Sequence, residues 1–190
     1  TNKLPAGTSY KLALISDVHL GRILGRSYAE KLTQRLNELQ PDAVLIAGDL
    51  IDERIAYVEE ENSLAALAKL TAPKGVFLAF GNHEYIDDPG RWQKMVEANG
   101  IRVLRDASTI IDGKLKISGL NDFRYSKGKG PKAIQTLAWE NDKYYSVLID
   151  HQPRRMLGAA HLGYDLYLSG HTHTGQLFPN RLITKRMYLL

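Results

Sequence analysis

Three nearly continuous apolar runs, residues 12–16, 43–47 and 76–80, each stop abruptly in polar residues, and this spacing constrains the fold more than any other feature. Asp17 to Asp49 and Asp49 to Asn82 are nearly equal steps, each close to the ~30 residues of a strand–helix–strand unit. Runs this apolar belong to strands covered on both faces, which predicts a parallel sheet with helices packed on it. Tyr28, Leu32, Leu36 and Leu39 recur at helical spacing before Pro41, and Leu64, Leu67, Ala68 and Leu70 do so before Pro73. Asp88-Pro89 reads as the start of a third helix, with Trp92, Met95 and Val96 inward and Asn99-Gly100 as its stop. Such sheets bind ligands beyond the carboxyl ends of their strands.

After Ile101 the pattern changes. Val103, Thr109-Ile110-Ile111 and Leu115-Lys116-Ile117 read as short strands, with Asp112-Gly113 as a hairpin turn, so this stretch is expected to begin a second, more antiparallel sheet. Residues 126–130, rich in Gly and Lys, read as a mobile loop. A helix over 131–139, a strand over 144–149, a helix over 153–160 and a strand over 165–168 follow.

The 190 residues are read as one domain, large enough to bury a sizeable core without staples. With no cysteine, thiolate metal sites and cysteine nucleophiles are excluded. The net charge of +4 is scattered, which reads as solubility and argues against a specific nucleic-acid footprint. No apolar run reaches the ~18 residues of a membrane span. Thr1 is not an initiator methionine and Met187-Tyr188-Leu189-Leu190 stops inside an expected strand, so the chain reads as cut at both ends.

The chemistry sits where apolar runs end: Asp17-Val18-His19, Gly48-Asp49, Gly81-Asn82-His83-Glu84, Asp150-His151 and Gly170-His171-Thr172-His173. On an extended strand end, Asp17 and His19 would project to one side. Singly, Asp17-Val18-His19 and Gly48-Asp49 read as ordinary polar loops, whereas the two imidazoles of Gly170-His171-Thr172-His173 suit two ligands on one loop. Together the clusters are not ordinary loops, because five of the six histidines follow expected strand ends and only His161 falls on a helix face. Imidazole and carboxylate without thiolate suit Mn²⁺, Fe or Zn²⁺. There are too many ligands for one ion, whereas two ions ~3.5–4 Å apart and sharing a carboxylate would use them.

The ordered set Asp17-Val18-His19, Gly48-Asp49-Leu50-Ile51-Asp52, Gly81-Asn82-His83-Glu84, His151 and Gly170-His171-Thr172-His173 resembles the calcineurin-like metallophosphoesterase superfamily, over residues 10 to about 178. That resemblance implies an α/β fold, a four-layer α/β/β/α sandwich with a dinuclear metal site at the carboxyl ends of the strands. It implies that one metal takes Asp17, His19, Asp49 and His173, and the other Asp49, Asn82, His151 and His171, with Asp49 bridging. His83 would face the substrate, while Asp52 and Glu84 would orient ligands. The implied reaction is hydrolysis of a phosphate monoester or diester by water activated between two divalent ions, with His83 stabilising charge or protonating the leaving oxygen. The rival readings are a nuclease of the same superfamily, for which Tyr125, Lys127, Lys129 and Lys132 are a thin basic and aromatic patch, and a non-catalytic scaffold.

Asp150-His151-Gln152-Pro153 and the run from Ser169 through Gly175-Gln176 are similar to the bacterial branch often fused to membrane segments. This implies work at a membrane surface through a segment outside this chain. Two departures stand out: Thr174 replaces a residue that is usually small or an imidazole, and the branch continues past Leu190 with further strands.

Overall fold

The computed structural model describes residues 3–126 and 130–173, in two four-stranded sheets with helices outside each. The first sheet runs β1 (Leu12–Ile15), β2 (Ala43–Ala47), β3 (Val76–Ala79), β4 (Ile101–Val103), all parallel. The helices between them are α1 (Arg26–Glu38), α2 (Ile55–Glu60), α3 (Ser63–Leu67) and α4 (Pro89–Ala98). The second sheet runs β5 (Ala107–Ile111), β6 (Leu115–Gly119), β7 (Tyr145–Ile149), β8 (Leu166–Leu168), with α5 (Gly130–Leu137) and α6 (Met156–His161).

Strand alternation sorts the side chains into three cores, and the cores define four layers. Val44, Ile46, Val76 and Leu78 pack against helical residues such as Ala29, Leu67 and Trp92. Their neighbours Ala43, Leu45, Phe77 and Ala79 point the other way, into a seam with Leu115, Ile117, Val147 and Ile149 of the second sheet. On that sheet's far face Leu148 meets Ile134, Leu137 and Ala159 of the outer helices. Both sheets are thus covered on both sides, as their apolar runs require, and the four-layer α/β/β/α arrangement is present.

Several local expectations need correction. Val103 belongs to the first sheet: Ile101 pairs with Val76 and both Ile101 and Val103 bury into the first core. The second sheet is antiparallel only between β5 and β6, joined by the turn at Asp112 and Gly113; β6, β7 and β8 are parallel. In α1 the fully buried residues are Ala29, Thr33 and Leu36, while Tyr28 and Leu39 are exposed. The stretch before Pro73 is two helices, broken where Asn62 turns left-handed, and Ala66 rather than Ala68 faces inward. The helix expected over 153–160 starts only at Met156, because Gln152 and Arg155 are held by Asp122 and Asp150. Asp88 caps α4 as expected, accepting from the amides of Gly90 and Arg91.

Lys116 of β6 points into the outer core, fully buried, and donates to the Leu137 carbonyl (2.6 Å), the Asn141 carboxamide (2.9 Å) and the Trp139 carbonyl. Its ammonium thereby satisfies carbonyls at and just beyond the end of α5, although burial pushes its pKa down to about 8. Lys127 and Lys129 of the expected loop, Thr174 to Gln176 and the expected strand at 187–190 lie outside the described residues.

Candidate metal centre

The parallel ladder delivers Asp17, Asp49 and Asn82 side by side at the carboxyl end of the first sheet. Its hydrogen bonds continue past the strands, from Asp17 N to Gly48 O (3.1 Å) and from His19 N to Asp49 O (3.0 Å). The expected extended geometry at Asp17 and His19 does not occur, since both are left-handed, at φ 53° and 51°. Asp49, His171 and His173 are left-handed too, so five of the ten non-glycine residues with positive φ among the described residues belong to these clusters. Asp and His tolerate this region better than most residues, yet it costs of order 1–2 kcal/mol each, and such strain concentrates at functional sites.

Two glycines of the motifs are required by close approach. A Cβ on Gly48, itself at φ +81°, would lie 2.6 Å from Nδ1 of His151. One on Gly170 would lie 1.6 Å from Ser16 Oγ, at the place where the loop after β8 crosses the end of β1. That crossing is closed by the His171 amide donating to the Asp17 carboxylate (3.0 Å to Oδ2).

The loop bearing Asp49 is held from beneath by Glu84. This buried carboxylate accepts from the amides of Gly81 (2.6 Å), Leu50 (2.7 Å), Asp49 (3.0 Å) and Ile51 (3.4 Å). Burial and the charge of Asp49 push its pKa up to about 7 despite these donors. Asp52 approaches from the open side, its Oδ1 3.1 Å from Nδ1 of His19.

Histidines converge on the Asp49 carboxylate. His151 Nε2 is 3.1 Å from Oδ2, His83 Nε2 3.9 Å and His19 Nε2 4.0 Å. His151 Nε2 is also 3.1 Å from Nδ1 of His171, and His173 Nε2 is 3.3 Å from Asp17 Oδ1. His151 donates from Nδ1 to the Ala47 carbonyl (2.7 Å), which aims Nε2 at Asp49. Burial opposes charge on His151, but the hydrogen bond and charge of Asp49 prevail and raise its pKa to about 9. Burial lowers the pKa of His19 and of His171, which favours the neutral form that a metal requires.

Three groups could hold an ion, their ligand atoms all within 4.8 Å of one another: Asp17, His19 and His173; Asp49, His151 and His171; and His19, Asp49 and His83. The donors also fit metal on a separate ground. Both ring nitrogens of His19 and the Asn82 carboxamide oxygen are buried without a hydrogen-bond partner, the 3.1 Å approach of Asp52 falling outside hydrogen-bond geometry. Buried polar atoms are rarely left so. All ten residues named from the sequence therefore gather in one place, and His161 stays apart on α6, bonded to its own helix.

A family model described as calcineurin-like phosphoesterase matches residues 10–175. The chain belongs to the calcineurin-like phosphoesterase family. Among similar proteins, an uncharacterized metallophosphoesterase of Helicobacter pylori is 32% identical over 92% of this chain and 47% of its own length. One of Aquifex aeolicus is 33% identical over 94% of this chain and 68% of its own. A transmembrane protein with metallophosphoesterase domain from Danio rerio is 32% identical over 93% of this chain and 43% of its own. The chain thus spans under half the length of the Helicobacter and Danio proteins. A solved structure with TM-score 0.58 and 14% identity covers 90% of this chain and 88% of that one, which shows a shared fold.

Sequence reasoning gave no role to the network behind this site. Asp150, buried next to His151, takes a two-point ion pair from Arg155 (2.8 Å from Nε) and a hydrogen bond from Tyr167 (2.6 Å). Arg155 also donates to the Asn121 carbonyl (2.9 Å), and the Asn121 carboxamide accepts from Tyr85, two residues past His83. Arg105 donates to the same Tyr85 oxygen (2.9 Å). The chain Arg105–Tyr85–Asn121–Arg155–Asp150 ties the strand ends of one sheet to those of the other. Asp150 within Asp150-His151-Gln152-Pro153 was the available signal: on a strand, neighbours point to opposite faces, so Asp150 needs a partner on the helical side.

Proposed function

We propose that this phosphoesterase hydrolyses phosphate esters with two divalent transition-metal ions, Mn²⁺, Fe or Zn²⁺. Asp17, His19, Asp49 and His173 hold one, and Asp49, Asn82, His151 and His171 hold the other. The observation that carries this reading is the convergence of histidines from both sheets on Asp49, beside buried donor atoms that lack any other partner. When bound, the ions supply Lewis acidity that makes water nucleophilic and neutralises phosphoryl charge. The chain's own part is positioning. Glu84 fixes the backbone of the Asp49 loop, and Asp52 steadies His19 and His83.

His83 carries the proton step. Its Nδ1 donates to the Asp52 carbonyl (2.6 Å), so Nε2 is the atom that faces substrate and delivers a proton to the leaving oxygen. Nitrophenolate leaves readily without a proton and an alkoxide does not. His83→Asn is therefore expected to keep its metals and to lose about 10²–10⁴-fold on alkyl esters but much less on nitrophenyl esters. Equal losses on both would assign His83 to charge stabilisation, and loss of metal would make it a ligand. The reading as a whole is tested by elemental analysis together with a screen of monoesters and diesters under each metal. Metal content near zero with every donor intact would favour a scaffold.

Among the described residues no helix is long and apolar enough to cross a membrane. The relatives named as transmembrane proteins support a second proposal, that this domain works at a membrane surface through a segment outside this chain. Fractionation of the complete gene product checks it, and recovery wholly without membranes would remove it.

A further inference from the structure

A cavity of about 410 Å³ opens on the outer helical layer, between α6, α5 and the turn after Asp122. Its size lies within the ~300–1,000 Å³ of small-molecule sites. Phe123, Ile134 and Leu162 give it an apolar wall, and Arg154 and Arg155 a cationic one. It is separate from the metal centre. His151 turns toward Asp49 in the seam, whereas Asp150 and Arg155 lie on the opposite, helical face of β7.

Arg155 is the decisive residue. Its side chain is 8% exposed, and its Nε and Nη2 are committed to Asp150 and the Asn121 carbonyl. The remaining nitrogen, Nη1, is buried without a hydrogen-bond partner. A buried guanidinium donor left unsatisfied costs free energy that an oxygen acceptor would recover. Phe123 stays 43% exposed beside both arginines, its ring 5.4 Å from the guanidinium carbon of Arg154 and 5.8 Å from that of Arg155. At Gly158, a helical residue on the cavity wall, an added Cβ would meet nothing within 4 Å, so the space is open to the backbone.

We propose that this cavity binds an amphipathic anion, with its apolar body against Phe123, Ile134 and Leu162 and its carboxylate or phosphate oxygens on Arg155 Nη1 and Arg154. The proposal stands apart from the phosphoesterase reading, because it uses none of the residues assigned to metal or substrate.

Calorimetric titration of the metal-loaded chain, with saturating inorganic phosphate present, tests it. Octanoate or octyl phosphate is expected to bind saturably, at least about tenfold more tightly than octanol, since charge-assisted hydrogen bonds are worth roughly that. The tighter of the two names the head group. Gly158→Leu, which fills the cavity from a helix that tolerates leucine well, is expected to weaken binding at least about 20-fold while ester hydrolysis and the melting temperature hold. Phe123→Ala, made on a half-exposed side chain, is expected to weaken it about fivefold and serves where Gly158→Leu fails to fold. No saturation, equal binding of octanol, or undiminished binding in the folded variant would each overturn the proposal.

Discussion

Asp49→Ala is expected to empty both halves of the proposed two-ion centre at once and to lower ester hydrolysis by at least about 10³-fold. The carboxylate is 2% exposed and, among the described residues, is the acid that histidines of both sheets approach, at 3.1 Å from His151 and 4.0 Å from His19. On the proposed ligation, its loss would leave one set of donors as Asp17, His19 and His173, and the other as Asn82, His151 and His171. Neither set would keep the shared anion needed to offset two adjacent dications. Lewis-acid stabilisation of several kcal/mol goes with it, and ~1.4 kcal/mol corresponds to tenfold in rate. His19→Ala and His151→Ala should instead each weaken mainly one ion. Elemental analysis beside turnover separates the cases. An Asp49→Ala protein with full metal content and activity would end the two-ion reading.

Glu84→Ala should have the largest effect on stability, about 3–5 kcal/mol, read from the denaturant midpoint. Four amides point at this carboxylate from a site that is 2% exposed, so water cannot replace it without rearrangement of the Asp49 loop. An unsatisfied buried amide costs about 1–3 kcal/mol, but neighbouring losses do not add, and burying a charge was itself costly. The net therefore sits near that of breaking a buried ion pair. Glu84→Gln keeps one carbonyl oxygen and should lose roughly half as much, because two of the four amides can still be served. A Glu84→Ala variant within 1 kcal/mol of the parent would show that the loop satisfies itself by another route.

The sheets and the site were legible in the sequence to different depths. Apolar runs that stop in Asp or His announce strands, and every such strand was found within a residue or two of its expected span. β2, β3 and β7 are buried on both faces, whereas Leu14 of β1 is exposed and β8 is half-buried. The ten candidate residues could be named because they lie in the loops that follow strand ends, and the fold brings them together. Their backbone was not legible: side-chain type says little about φ, so the left-handed turns at Asp17 and His19 were invisible. The inward face of α1 was misjudged because Thr33, polar by type, is buried with its hydroxyl on the Ala66 carbonyl. β4 was assigned to the wrong sheet because three residues carry little periodicity, and only pairing with β3 decides its place. Partners far apart in the chain, such as Arg155 with Asn121 or Tyr85 with Asn121, leave no local pattern at all.

The division of the centre between two sheets ties occupancy to the survival of the chain. Asp17 and Asp49 come from one sheet and His151 and His171 from the other, so ions shared between them are ligands of the docked state alone. By mass action, free ion at 100 times its dissociation constant adds about 2.7 kcal/mol to the folded state. Withdrawal of metal would then remove that contribution from a seam that its apolar residues still hold. Scarcity of the ion inside a cell would register twice, as lost turnover and as faster destruction by proteases that cut opened chains.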